Sequence, residues 1–242
     1  MGVIKSAIAD GLLTFLWVFC SSNIGVSTYF IASYFGVVNE IASLFITTLI
    51  VFLIFLVFGF LGDVLGGAGF NPTGNAAFYA AGLGDDSLVS AAVRCPAQVA
   101  GAVAGSLALM ELMPKHYHHM LDGPALKVDV QTGAIVEGVL TFVITFMIFV
   151  IVLRGPESTL LKNLLLTMVT LPLVLAGSNY TGPSMNPANA FGWAYLSNTH
   201  NTWEHFYVYW ISPFIGAILA AWIFRVLFPP PVEQKPQKQK RN

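Results

Sequence analysis

Residues 70–78 read FNPTGNAAF and residues 185–193 read MNPANAFGW. Asn is a strong helix N-cap, and Pro suits the first helical position because the N–H it lacks would be unpaired there anyway. Asn71-Pro72 and Asn186-Pro187 therefore each predict the start of a short helix, near 71–82 and 186–196. Gly66, Gly67 and Gly69 precede the first site, and Gly182-Pro183 the second, as suits a non-helical entering chain. Neither short helix could cross a bilayer, which takes roughly 20 apolar residues. One isolated Asn-Pro would read as an ordinary turn. What surrounds this pair says otherwise.

The chain has 242 residues, 56% hydrophobic and 10% charged. Soluble domains carry nearer ~25% charged residues, so most of this surface is expected to face lipid. Charge-free or nearly charge-free stretches predict six full spans, near 7–29, 40–61, 88–112, 132–153, 162–178 and 205–228. The first is read as a retained span, not a cleaved signal, because Asp10 lies inside its apolar run. Loop charges set orientation. With both ends in the cytosol, nine Lys and Arg lie inside (Lys5, Arg94, Arg154, Lys162, Arg225, Lys235, Lys238, Lys240, Arg241) against Lys115 and Lys127 outside. The net charge of −1 gives no field to attract nucleic acid.

The two halves repeat. AIADGLLTF at 7–15 matches AIVEGVLTF at 134–142 in six of nine positions, with Asp10 against Glu137. Each half has a span bearing an acid, two more spans, and an Asn-Pro helix between the second and third. Three spans is an odd number, so the second half enters the bilayer inverted. The expected organisation is 1–115 as first repeat, 116–131 as connecting loop, 132–228 as second repeat, and 229–242 as a Lys-rich cytosolic tail. The fold class is an all-α membrane protein with six spans and two re-entrant half-helices.

Non-helical backbone at membrane depth is tolerated only inside protein or along a water-filled cavity. Two helix N-termini meeting at the midplane each carry roughly half a positive charge. Asn amides held there could aim N–H groups at a passing water, break a proton wire and, with the helix ends, repel cations. That reads as a passive channel for water or small neutral solutes. A secondary transporter also fits inverted repeats with broken helices, though lumen charges for coupling are lacking. A membrane enzyme using Asp10 and Glu137 finds no nucleophile or metal constellation. A structural membrane protein with a narrow or closed pore stays open.

The pattern resembles the major intrinsic proteins, the aquaporin superfamily, over roughly 5–228. Their two Asn-Pro-Ala boxes sit on half-helices; here Asn186-Pro187-Ala188 matches, and Asn71-Pro72-Thr73 carries Thr for Ala. The short N-terminus, that Thr and the Lys-rich tail are similar to the plant small basic intrinsic proteins. The resemblance implies a homotetramer with one pore per subunit, and a selectivity filter at Pro183, Asn189, Val174 and a fourth position near Ile50 or Val51. Most relatives have Arg where Asn189 stands, so this filter is expected to be apolar and uncharged. Asp10 and Glu137 are intramembrane acids that need partners, and with no spare intramembrane cation apparent, backbone N–H groups or a hydroxyl are the expected donors; the resemblance implies that the two acids brace the re-entrant segments. Lys240 and Lys238 resemble a dilysine retrieval signal, which with the subfamily points to the endoplasmic reticulum.

No metal or cofactor is expected. His116, His118 and His119 read as a solvated loop, since a metal site wants further ligands at fixed spacing. Cys20 and Cys95 read as free packing residues. Gly101 and Gly105 suit close helix packing. Asn179-Tyr180-Thr181 is a glycosylation sequon expected to fold inward.

Overall fold

The computed structural model describes residues 2–84, 87–121 and 123–229. Among them every regular element is helical. The long helices are α1 (Val3–Ser21), α3 (Glu40–Val64), α5 (Leu88–Leu112), α6 (Val130–Arg154), α7 (Thr159–Gly177) and α9 (Trp203–Leu227), all long and apolar enough to cross a bilayer. α2 (Ile24–Tyr34) follows α1, and the half-helices are α4 (Pro72–Ala80) and α8 (Pro187–Leu196). In hydrocarbon each backbone polar group must be satisfied within the protein, and helices do this internally. Their starts are capped by side chains: Asn39 for α3, Ser87 for α5, Asp129 for α6, Ser158 for α7 and Thr202 for α9.

The first span departs from the expected 7–29. It starts at Val3 and breaks after Ser21. Asn23 Nδ2 donates to Phe19 O at 2.7 Å, taking the carbonyl its own backbone N–H would have used. That N–H turns to Cys20 O. In α9 a π-helical turn covers Tyr207–Ile211. Pro213 follows it and has no N–H to give Tyr209 O, which accounts for the loosened turn.

Within each half the first and third spans, α1 with α5 and α6 with α9, pack backbone to backbone. A methyl group on Gly101 would overlap the Gly11 carbonyl, and one on Gly105 the Phe15 carbonyl. The second half repeats this, with Gly216 on the Gly138 carbonyl. The half-helices cross over: α4 lies against α9 of the other half, and α8 against α5. Ser106 Oγ on α5 donates to Gly192 O of α8 at 2.9 Å, and Gly192 admits no side chain against Ala102. Beneath α4, Ala77 packs with Phe149, Ala217 and Phe224.

Arg94 corrects the count of loop charges. It is buried inside the bundle rather than lying in a cytosolic loop. The tail with Lys238 and Lys240 falls outside the described residues.

Candidate functional site

Asn71 and Asn186 are the N-caps of α4 and α8, each in extended backbone with Pro at the first helical position. Asn71 Oδ1 accepts from Thr73 N at 3.0 Å, and Asn186 Oδ1 from Ala188 N at 3.1 Å and Asn189 N at 3.3 Å. With each oxygen held by its own helix, each Nδ2 must point away. Asn71 Nδ2 donates to Met185 O at 2.9 Å, and Asn186 Nδ2 donates to Phe70 O at 2.8 Å. Each cap therefore binds the residue that precedes the other cap. The two tips lie side by side inside the bundle.

One N–H of each amide is committed to the opposing segment. Thr73 shows what Thr does in place of Ala. Its hydroxyl donates to Asn71 Oδ1 at 2.8 Å, and Met185 O lies 3.4 Å from it. Met185 itself sits at φ 50°, uncommon for a residue with a side chain. In that conformation its N–H meets Glu137 and its carbonyl meets Asn71.

A cavity of about 460 Å³ reaches Asn71 and Asn186. It extends from the tips toward the end of α3 with Asp63 and the start of α7 with Asn163. Its walls are largely aromatic and aliphatic, with Trp17, Phe58 and Phe70 among them and Ile148 and Phe149 on α6. Trp17 stacks on Phe70 with centroids 4.1 Å apart, and Phe58 meets Trp17 edge-on at 5.2 Å. Because Phe70 supplies the carbonyl that Asn186 binds, this stack also fixes one tip contact.

The two acids sit behind the entering segments and are fully buried. Glu137 accepts from Ser184 N and Thr181 Oγ1 at 2.9 Å, and from Met185 N at 3.0 Å. Asp10 accepts from Gly69 N at 2.9 Å, but also from Arg94 Nε at 2.7 Å, Arg94 Nη2 at 2.9 Å and Gln98 Nε2 at 2.9 Å. A donor set of backbone and hydroxyl alone thus describes Glu137 and not Asp10. Arg94, the charged break in the apolar run at 88–112, is the intramembrane cation that pairs with Asp10.

Val51, Val174, Pro183 and Asn189, the positions expected to form a filter, fall outside the lining of that cavity. Val51 is buried on α3. Val174 packs in the cluster of Leu140, Ile144 and Met185. Pro183 lies against Gly177 of α7. Asn189 Nδ2 donates to Ser184 Oγ at 3.2 Å, and that hydroxyl donates to Asn186 O at 2.7 Å. Ser184 thereby links the position occupied by Arg in most of the resembling family to the second tip; nothing in the sequence pattern singled it out.

Other sequence features resolve simply. His118 Nε2 donates to Met113 O at 2.9 Å, while the His116 ring lies tilted against Tyr117. Cys20 and Cys95 are free and half-buried. In the sequon Thr181 is buried on Glu137, whereas Asn179 is exposed, so only part of it folds inward.

Residues 1–224 match the family model described as Major intrinsic protein. Aquaporin SIP1-2 of Zea mays is 56% identical over 98% of this chain and 97% of its own length. Aquaporin SIP1-1 of Arabidopsis thaliana is 52% identical over 100% of this chain and 99% of its own. Among solved structures, the X-ray structure of the aquaglyceroporin from Plasmodium falciparum superposes with a TM-score of 0.71 at 20% identity, covering 94% of this chain and 98% of that one. That likeness carries the fold.

Proposed function

Because the chain belongs to the major intrinsic protein family, we propose that it passes water, and with it other small neutral solutes, through a path between Asn71 and Asn186. It is a passive multi-pass membrane channel and not an enzyme. The observation that carries the reading is the crossed pair of amide bonds, 2.9 and 2.8 Å long, which holds the two tips together at the end of the cavity.

Each amide keeps one N–H beyond the one given to the opposing segment. Two such donors bind a passing water through its oxygen and turn both its hydrogens away from the midplane. The water then cannot accept a proton from one neighbour while donating to the other. The two helix N-termini, each worth roughly half a positive charge, raise the energy of hydronium and other cations at the same point. Val51, Val174, Pro183 and Asn189 form the filter on the far side of the tips, uncharged and without a guanidinium. Asp10 and Glu137 hold the entering segments.

The two repeats, 1–115 and 132–228, are joined by the loop at 116–131, with the tail at 229–242 in the cytosol. With Arg94 removed from the count, eight Lys and Arg against two still favour cytosolic termini. Lys238 and Lys240 favour the endoplasmic reticulum membrane. The family resemblance implies a homotetramer, each subunit with its own pore.

The test is stopped-flow light scattering on proteoliposomes of the purified protein. Osmotic shrinkage should exceed that of empty vesicles by about tenfold, a barrier lower by one tenfold step of free energy. Shrinkage at the empty-vesicle rate, for water and for small solutes alike, would sink the reading. Asn186→Asp puts a carboxylate at a helix tip and should lower water flux while raising cation leak. Unchanged water and proton permeability would remove the tips from the path.

A further inference from the structure

Arg94 holds the first re-entrant segment from behind, and we propose that it is a positioning residue for Asn71, standing where the second half uses Tyr209.

The correspondence comes from the repeat itself. Gly216 stands from Gly101 as Asn186 stands from Asn71. Both glycines press on the carbonyl of the glycine that follows their half's acid, Gly101 on Gly11 and Gly216 on Gly138. In that register Arg94 answers to Tyr209. Both reach the entering segment of their own half. Arg94 Nη2 donates to Gly67 O at 3.3 Å, and the Tyr209 hydroxyl donates to Thr181 O at 2.8 Å. The acids correspond as well: Gly69 N–H meets Asp10 as Ser184 N–H meets Glu137.

The two halves differ in how the acid is balanced. Glu137 reaches a second backbone N–H, that of Met185, and the Thr181 hydroxyl. Asp10 is one methylene shorter. It takes two N–H groups of Arg94 and the amide of Gln98 instead. Gln98 Nε2 also lies 3.5 Å from Asn75 Oδ1 on α4. Arg94 thus couples α1 and α5 to the segment that leads into Asn71. Gly67 and Asn71 both line the cavity, so a shift of that segment moves the cavity wall and the tip together. A phenol needs no counter-ion, whereas removing the guanidinium strands a buried carboxylate. Lysine is no substitute, because one ammonium cannot span Asp10 bidentately and reach Gly67 as well.

The effect on flux rests on the channel reading; the effect on the segment does not. Three full-length proteins are compared in proteoliposomes: wild type, Arg94→Gln, and the double variant Asp10→Glu with Arg94→Tyr, which copies the second half. In Arg94→Gln, amide hydrogen exchange over 65–75 should rise about tenfold while 180–190 stays protected. Water permeability per inserted channel should fall about tenfold, and the proton-to-water permeability ratio should rise. A residue that merely stabilised the fold would lower the number of inserted channels and leave that ratio alone. The double variant should return protection and unit permeability to within about twofold of wild type. Protection of 65–75 retained in Arg94→Gln, an unchanged ratio in conducting channels, or a double variant as loose as Arg94→Gln overturns the proposal. If Arg94→Gln yields no folded protein, the double variant decides: folded with 65–75 protected supports the proposal, and either unfolded or folded with 65–75 unprotected overturns it. If wild type itself does not conduct, the channel reading fails, and the exchange measurements still decide the role of Arg94.

Discussion

Thr73 and Glu137 show how much a single side chain carries at the tips. Thr73 is 1% exposed and spends its hydroxyl on Asn71 Oδ1, the atom that also caps α4. Thr73→Ala removes one buried hydrogen bond and leaves the backbone cap in place. It should lower stability by about 1 kcal/mol, read as thermal midpoint in detergent, with water flux within about twofold of wild type. A tenfold loss of flux would mean the hydroxyl acts on the path itself and not on the cap. Glu137 is the stricter case. Its carboxylate accepts from three donors, two of them backbone N–H groups of the strained Ser184-Met185 segment. Glu137→Gln keeps the shape but turns an NH₂ toward donors that need an acceptor. The expected cost is about 3 kcal/mol, with reduced flux through a displaced Asn186. A thermal midpoint equal to wild type would show that the segment is held by something else.

The helices follow from rules that a sequence displays openly, and their departures from rules that it hides. Charge-free length gives the six spans, and Asn-Pro gives both half-helix starts, because cap and proline act within one turn. The break after Ser21 depends on one Asn side chain capturing a carbonyl one turn back, which no hydropathy reading contains. The site divides the same way. Asn71 and Asn186 were legible as caps; their crossed bonds to Met185 and Phe70 join residues over a hundred positions apart and needed the fold. Ser184 and Trp17 were not legible, since a serine beside a turn and a tryptophan in an apolar span have many other uses. Gly101 and Gly105 were legible as a close-packing pair, and the structure supplies their partners, the Gly11 and Phe15 carbonyls of α1. The obstacle to a side chain at Gly101 is backbone, which cannot rotate aside. Gly101→Val should therefore separate α1 from α5 at a cost of about 1–3 kcal/mol, lowering the thermal midpoint and the yield of inserted protein. An unaltered midpoint would mean that the two helices part without penalty.

Across the whole molecule the halves are interlocked rather than laid side by side. α4 belongs to the first half and packs on α9 of the second; α8 belongs to the second and packs on α5 of the first. At the centre Asn71 binds the segment that Glu137 holds, and Asn186 binds the segment that Asp10 holds. A disturbance in either half therefore reaches the tip of the other through one hydrogen bond. This predicts energetic coupling that two independent caps would not show. Asn71→Ala removes the donor to Met185 O and frees the segment that positions Asn186. Once that segment is loose, Asn186→Ala has less left to lose. In a double-mutant cycle on thermal stability in detergent, the two changes together should cost less than their sum by about 1 kcal/mol, within the usual range for residues sharing one network. Strict additivity, to within about 0.3 kcal/mol, would mean that the tips are neighbours without being partners. Water should respond in the same sense: the first substitution takes most of the flux and the second little more, because a path that needs both donors aligned is lost with either.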